Sequence, residues 1–355
     1  MAILKKAAQK LPSYYNHACI IPQRAFEQCS SEKAASLKEA SGIHCLDMTA
    51  GLGVDSYHFS QSFQNVTSLE ADKLLADITR HNLKLLNTRN VEIRNESAHL
   101  FLETYKGNPF DLIFVDPDRR NSTGKRLVKL GECSPDVVSL FGRMQQLAQQ
   151  IMIKASPMLD ISAAWDDLPQ IQVIEVVSIG NECKELLLHW RKTADANKYI
   201  HLKILRQNHR FSYEFPQGAP NKPDSRQLPA HPTVLIEPDV ACYKARTTQT
   251  LFEHAFPDLP GAMNHSMGFF FGTQLPELPF PGRVWDILEM MPYKPKAIKR
   301  WLKKQGINRA HIVQRHFPFQ VADIRKQLGL REGGEHWLIA TRWQGEKCVI
   351  WGKAH

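Results

Sequence analysis

A chain of 355 residues with 43% hydrophobic content can bury a large core, which excludes an intrinsically disordered protein and leaves room for two or three domains. The seven cysteines, Cys19, Cys29, Cys45, Cys133, Cys183, Cys242 and Cys348, are odd in number, widely spread and never in C-x-x-C, which excludes a disulfide framework and a zinc site and predicts reduced thiols and no metal. No apolar run reaches the roughly 18 residues a bilayer span needs, and Met1 to Lys10 is a basic amphipathic stretch without a signal-peptide core, so a soluble cytoplasmic protein without a membrane partner is expected. The formal net charge is +9, and most of the excess lies near the C-terminus.

Residues 1–35 are expected to form a helical segment ahead of the first strand. The stretch Cys45 to Asp55, C-L-D-M-T-A-G-L-G-V-D, then reads as a buried strand ending at Asp47, a glycine-rich turn and a helix start. Gly51 and Gly53 allow backbone to approach a ligand where a side chain would collide, and the helix start offers free N–H groups and a positive dipole end. This pattern predicts a nucleotide-like cofactor. Dinucleotide oxidoreductases and S-adenosylmethionine methyltransferases both use it, but the third glycine of G-x-G-x-x-G is replaced by Ser56.

Asn65 to Leu69 reads as a strand ending at Glu70, an acid placed to bind both ribose hydroxyls. A helix follows from about Asp72 to Leu86, then a strand Val91 to Arg94 whose end carries Asn95, Glu96 and Ser97. Glu96 reads either as acceptor for an adenine amine or as a cap of the helical pattern behind it. Phe110 to Val115 is a nearly continuous apolar run, as expected of a central parallel strand, and it ends in Asp116-Pro117-Asp118-Arg119-Arg120. A proline directly after Asp116 stops strand pairing, so Asp116 projects from the carboxyl edge where open α/β sheets bind ligands. Further on, the pattern predicts a helix Pro135 to Gln150, a strand Ile151 to Lys154, a strand Val173 to Ile179, a helix Glu182 to Arg191 and a strand Ile200 to Arg206, continued by Arg210 to Phe215. Lys154, before Ser156-Pro157, reads as an active-site edge or as a turn, and nothing in the sequence decides between them.

The D-x-T-x-G-x-G-x-D turn, Glu70, the D-P-D-R-R loop, I-K-A-S-P-M-L-D from Ile153 to Asp160, N-E-C-K-E-L-L from Asn181 to Leu187 and E-Q-C-S-S-E from Glu27 to Glu32 together resemble class I methyltransferases that carry a THUMP-like C-terminal domain. The resemblance covers most of the chain. It implies an α/β fold with a Rossmann-like class I methyltransferase sheet over residues 36–215, in which the segment Ile200 to Phe215 supplies the antiparallel strand beside the fifth. It further implies S-adenosylmethionine as cofactor, held by Asp47, Thr49, Ala50, Gly51, Gly53, Asp55, Glu70, Ala71, Glu96, Ser97 and Asp116. Members of that family carry a longer extension ahead of Lys10-Leu11-Pro12, which implies a chain short at its start.

The stretch Pro216 to Pro232 reads as a linker. Behind it, a strand Thr233 to Ile236, a helix Lys244 to His254 and a strand Gly268 to Gly272 match the small ferredoxin-like α+β unit the resemblance implies over 216–281. The last domain, 282–355 and THUMP-like, contains the strand R-V-W-D-I-L, a helix Pro295 to Gln305, a strand Arg309 to Gln314, a helix Val321 to Leu328 and a hairpin of Glu335 to Thr341 with Lys347 to Trp351. Lys294, Lys296, Lys299, Arg300, Lys303, Lys304, Arg309 and Arg315 follow one another there without an intervening acid, with Tyr293, Trp301, His311 and His316 interleaved. Such a run suits a phosphate-tracking surface with stacking groups and predicts an RNA partner of tRNA or rRNA type; its other reading is a solvated helix face.

These features together predict direct methyl displacement onto a positioned nucleophile. Asp116, Pro117, Arg119 and Arg120 form the catalytic loop, with Asp116 accepting the N–H of an amine. Amine methyltransferases of this kind carry an aromatic residue two places after the proline, where this chain has Arg119, so no stacking partner for a flipped base is present in the loop and the two arginines suit phosphate instead. The alternatives are an NAD-dependent oxidoreductase, which the missing glycine and the acid-proline edge disfavour, and a non-catalytic RNA-binding protein that keeps the cofactor fold.

Overall fold

The computed structural model describes residues 2–118, 129–193, 197–218 and 226–355, and the chain packs as two units, Met1–Ile179 with Cys183–Lys203, and Gly180–Glu182 with Ile204–His355. Four short helices, Ala2–Lys10, Pro12–Asn16, Gln23–Gln28 and Glu32–Ala35, precede the sheet. Its strands are β1 (Gly42–Asp47), β2 (Phe63–Leu69), β3 (Val91–Arg94), β4 (Phe110–Val115), β5 (Ala148–Ala155), β6 (Val173–Ile179), β7 (Glu182–Arg191), β8 (Tyr199–Arg206) and β9 (His209–Pro216), in the order β3-β2-β1-β4-β5-β7-β6-β8-β9. Strands β1 to β5 are mutually parallel, whereas β7 runs antiparallel to β5. The chain moves outward from β1 to β3 and then returns to β4, so the strand order reverses between β1 and β4. At such a point the carboxyl ends of neighbouring strands open a crevice.

Local chemistry fixes the crossover helices. Asp72 accepts the Leu75 N–H and starts the helix Lys73–Leu85, which turns Ala76, Thr79 and Leu83 inward at three- and four-residue spacing. Ser97 caps Ala98–Thr104 and Asp136 caps Val137–Leu147 in the same way. The core strand β4 is buried from Leu112 to Val115, in line with its continuous apolar sequence.

Two expectations fail between β5 and β8. The segment Glu182 to Arg191 is a strand, not a helix, and it is this segment, β7, that lies antiparallel beside β5, rather than Ile200 to Phe215. Leu186, Leu187 and Leu188 are all fully buried, which a strand covered on both faces allows and an amphipathic helix does not. Gly180 and Asn181 have φ of +62° and +66° and form the two-residue turn that folds β7 back after β6. The predicted helix Pro135 to Gln150 also stops early, at Leu147, because β5 begins at Ala148.

In the second unit, β10 (Val234–Pro238), β11 (Gly261–Met263), β12 (Phe270–Gly272), β13 (Gly282–Pro292), β14 (His311–Gln314), β15 (Trp337–Trp343) and β16 (Glu346–Ala354) form one sheet of order β11-β12-β10-β13-β16-β15-β14. Residues 216–281 and 282–355, separate in the sequence reading, are therefore joined: β10 pairs with β13 from Val234 opposite Asp286 to Pro238 opposite Gly282. The expected helix Lys244 to His254 is two helices, Val240–Ala245 and Thr248–Ala255, broken at Arg246, whose φ is +55°. The helices Pro295–Lys304 and Val321–Leu328 bury Ile298, Leu302, Ile324 and Leu328 against Leu338, Ala340 and Val349. Among the described residues, no helix is long and apolar enough to cross a membrane.

Candidate functional site

The crevice between β1 and β4 is built around a turn held from below. Asp47 is fully buried, and its two oxygens accept the Thr49 N–H at 3.0 Å and the Ser56 hydroxyl at 2.6 Å, while Ser68 donates to Ser56 at 2.9 Å. Burial pushes the Asp47 carboxyl up to about 7, against the pull of those two donors, and the carboxylates of Asp55 and Asp116 push in the same direction as burial. Asp47 thus shapes the turn from within. Thr49 in turn accepts the Asp116 N–H at 2.7 Å, tying the ends of β1 and β4 together.

The glycines divide their work. Gly53, at φ +80°, lies so close to the helix Lys73–Leu85 that a Cβ would stand 2.7 Å from the Thr79 methyl. Gly51, at φ +53°, has only the Thr49 carbonyl near its missing side chain, at 3.9 Å, so the space beside it is open. Thr79 donates to the Gly51 carbonyl at 2.7 Å, and buried Tyr14 donates to the Leu52 carbonyl at 3.2 Å. At the end of β2, half-buried Glu70 accepts the Gly51 N–H at 3.0 Å and the Asp72 N–H at 2.9 Å; burial raises its carboxyl and these donors oppose the shift. Asn95 bonds the carbonyls of Glu70 and of exposed Ala71. The cap of the next helix is Ser97, not Glu96, and half-buried Glu96 makes no hydrogen bond among the described residues. The structure therefore gathers Thr49, Ala50, Gly51, Glu70, Ala71, Glu96 and Asp116 at one edge of the sheet.

Asp55 takes a different position from the one predicted. It opens the helix Val54–Phe59, but Lys38 binds it at 2.8 Å and Ser30 donates to it at 2.9 Å beneath the turn. Burial would raise the Asp55 carboxyl; the ammonium groups of Lys38 and Lys154 hold it below its ordinary value. Lys38 also binds Glu185 of β7 at 2.9 Å, and Lys154 at the end of β5 binds Asp116 at 2.5 Å with Glu185 at 4.0 Å. Burial opposes the charge on both lysines, yet the surrounding carboxylates outweigh it and raise both pKa values, so both remain ammonium ions. Sequence reasoning missed Lys38 and Glu185, which come from segments far apart in the chain.

The D-P-D loop is buried at Pro117. Asp118 forms a two-bond bridge with Ser134 and accepts from Gln28 at 3.2 Å. Arg119 and Arg120, assigned to catalysis from the sequence, lie outside the described residues.

In the second unit, Lys294, Lys296, Lys299, Arg300, Lys303, Lys304 and Arg309 are exposed. Arg315 is a different case: half-buried, it binds buried Glu237 at 2.9 Å and lies 4.0 Å over the Tyr243 ring, so its charge is already engaged within the domain. The interleaved aromatics are also engaged. Tyr293 packs on Phe317 and Phe319, Trp301 donates to Glu289 and packs on Trp351, His311 stacks on Trp337, and His316 stacks on His265.

Residues 282–354 match the family described as THUMP domain-like, and residues 22–131 match the family described as conserved hypothetical protein 95. Over 98 residues, or 27% of the chain, the sequence is 31% identical to ribosomal RNA small subunit methyltransferase D of Buchnera aphidicola, and the chain spans 50% of that relative's length. The crystal structure of a methyltransferase candidate from Porphyromonas gingivalis W83 superposes with a TM-score of 0.85 at 24% identity, covering 99% of this chain and 88% of that one. The fold is accordingly the one the sequence resembles: a class I methyltransferase sheet with a THUMP-like domain at its C-terminal end.

Proposed function

We propose that this protein is an S-adenosylmethionine-dependent methyltransferase acting on RNA, of tRNA or rRNA type. One observation carries the cofactor assignment: at the switch point the open cradle beside Gly51 lies against the Glu70 carboxylate, which accepts the Gly51 N–H. A pyrophosphate at this turn would face the Glu70 carboxylate, so a dinucleotide is disfavoured. A cofactor with a cationic sulfonium and an ammonium group suits the same field. Glu70 would accept the ribose hydroxyls, the backbone of Ala50 to Gly53 would lie beside the methionine part with Thr49 at the strand end, and Glu96 would accept the adenine amine next to Ala71 and Ser97. When bound, the cofactor supplies an electrophilic methyl group.

This chain's own contribution is to orient and desolvate. Asp116, held at the β4 end by the Thr49 hydroxyl, presents a carboxylate that accepts an N–H of the nucleophile and aligns its lone pair. The exposed cations of the helix Pro295–Lys304 suit a phosphate backbone, and the rRNA methyltransferase relative supports an RNA substrate. With Tyr293, Trp301, His311 and His316 each engaged by another ring, phosphate contacts rather than base stacking account best for that surface.

Calorimetry with S-adenosylmethionine, its demethylated product and NAD in parallel tests the cofactor; binding of the first two and not of NAD is expected. Asp116→Ala should abolish methyl transfer to RNA and leave S-adenosylmethionine affinity within about threefold. NAD binding in their place, or undiminished transfer by Asp116→Ala, would overturn the reading.

A further inference from the structure

Beneath the proposed nucleophile site runs a row of alternating charge: Asp116 directly after β4, Lys154 on β5, Glu185 on β7, Lys38 after the helix Glu32–Ala35, and Asp55 at the start of the helix Val54–Phe59. Its members are buried except Asp116, whose side chain is 21% exposed. Three carboxylates and two ammonium groups alternate, so each lysine lies between two acids. A buried row of this kind costs desolvation free energy that a hydrophobic core would not, and apolar residues of equal volume would stabilise the fold as well or better. Stability alone therefore does not account for it. Its exposed end is the carboxylate that faces the crevice.

We infer that Lys154 is a positioning residue for methyl transfer: by binding Oδ2 of Asp116 from below it fixes the carboxylate plane and leaves Oδ1 as the one oxygen that meets the nucleophile. The inference rests on the methyltransferase reading and deepens it. Among the described residues, without Lys154 the Asp116 side chain would be held only through its backbone N–H, by Thr49, and both oxygens would be free to rotate. The burial of Lys154, at 7% side-chain exposure, keeps water from replacing the ammonium. Glu185 and Lys38 hold Lys154 from the other side, so the row acts as a strut whose far end is anchored at Asp55 and Ser30. A carboxylate held by a fixed ammonium would orient an N–H nucleophile and, as the new N–C bond forms and the methyl–sulfur bond of the bound cofactor breaks to leave a neutral thioether, would take the proton the nitrogen releases; no separate base is needed before transfer.

The test compares Lys154→Ala, Lys154→Arg and Asp116→Ala in the full-length protein, with radiolabelled methyl transfer to RNA, calorimetric S-adenosylmethionine binding and thermal unfolding measured side by side. For Lys154→Ala, kcat should fall about a hundredfold while KM for RNA and cofactor affinity stay within about threefold. Added methylammonium should restore at least a tenth of the lost rate in Lys154→Ala and none in Asp116→Ala, an effect a purely structural lysine would not produce. Lys154→Arg should keep more activity than Lys154→Ala. Parental kcat in Lys154→Ala, or a fall in kcat that amines do not reverse and that tracks cofactor affinity and melting temperature, overturns the inference while leaving the methyltransferase reading standing. Absence of transfer and of cofactor binding in the parent protein overturns the methyltransferase reading and this inference with it.

Discussion

Lysine carries two opposite jobs in the two units. In the first, Lys38 and Lys154 are buried, each between carboxylates, and Lys154 fixes Asp116 at the carboxyl edge of β4 and β5. In the second, Lys296, Lys299, Lys303 and Lys304 stand on the exposed face of one helix whose other face buries Ile298 and Leu302. A paired buried charge acts through geometry and loses its value when a partner is removed. A free surface charge acts through the sum of the field, and single losses matter little. Arg315 shows that sequence neighbours can fall on either side of this divide, since it continues the basic run yet is engaged by Glu237.

The sharpest way to break the comparison is to remove Lys38. Lys38→Met leaves Asp55 without its ion-pair partner and Glu185 with Lys154 alone at 4.0 Å, and breaking a buried pair costs about 3–5 kcal/mol; denaturant unfolding should show a loss of that order, and a loss below about 1 kcal/mol would mean that the buried lysines are no different from the surface ones. On the other side, replacing Lys299, Arg300, Lys303 and Lys304 together with Ala should remove a logarithmic salt slope of about 3, at about 0.7 per contact with single-stranded or looped RNA. Cofactor affinity should be unchanged. Arg315→Met in the same assay should leave the slope in place, and a slope that drops with Arg315 alone would erase the distinction drawn for it.

Smaller effects refine the first unit. Glu70→Ala should weaken S-adenosylmethionine binding about tenfold in calorimetry, since it takes away an acceptor for two hydroxyl groups; equal affinity would remove Glu70 from the site. Asp47 gives a signal of another kind, a pH dependence. Its carboxyl titrates near 7 in the folded protein against an ordinary value of 3.8, so the folded state holds a proton that the unfolded chain has released between those values. Its contribution to stability is full below about 3.8 and is lost as pH rises through 7. Unfolding free energy of Asp47→Asn, compared with the parent between pH 4 and 7, should lack that decline.

What the sequence made legible follows from distance along the chain. The turn from Asp47 to Gly53, Glu70 at the end of β2 and Asp116 before a proline are each encoded within a few residues, because a tight turn and a strand end have local steric requirements. The strand β7 is not local in this sense. Its Glu, Lys and Leu residues suit a helix, and only the neighbouring β5 and the turn at Gly180 and Asn181 make it a strand; the Gly-Asn pair was the signal available. The charged row draws on residues 38, 55, 116, 154 and 185, and no spacing rule connects them. Arg315 could not be told from its basic neighbours because Glu237, its partner, precedes it by 78 positions.

The hydroxyl of Tyr14 on the Leu52 carbonyl sets a lower limit on any minimal fragment of the first unit. Together with Ser30 on Asp55 and Gln28 on Asp118, it makes the helices ahead of β1 part of the crevice wall. A fragment trimmed to begin at residue 36, just ahead of the sheet, would keep every strand of the first unit and lose these three props. Anyone who excises this module for structural or engineering work should cut upstream of Pro12.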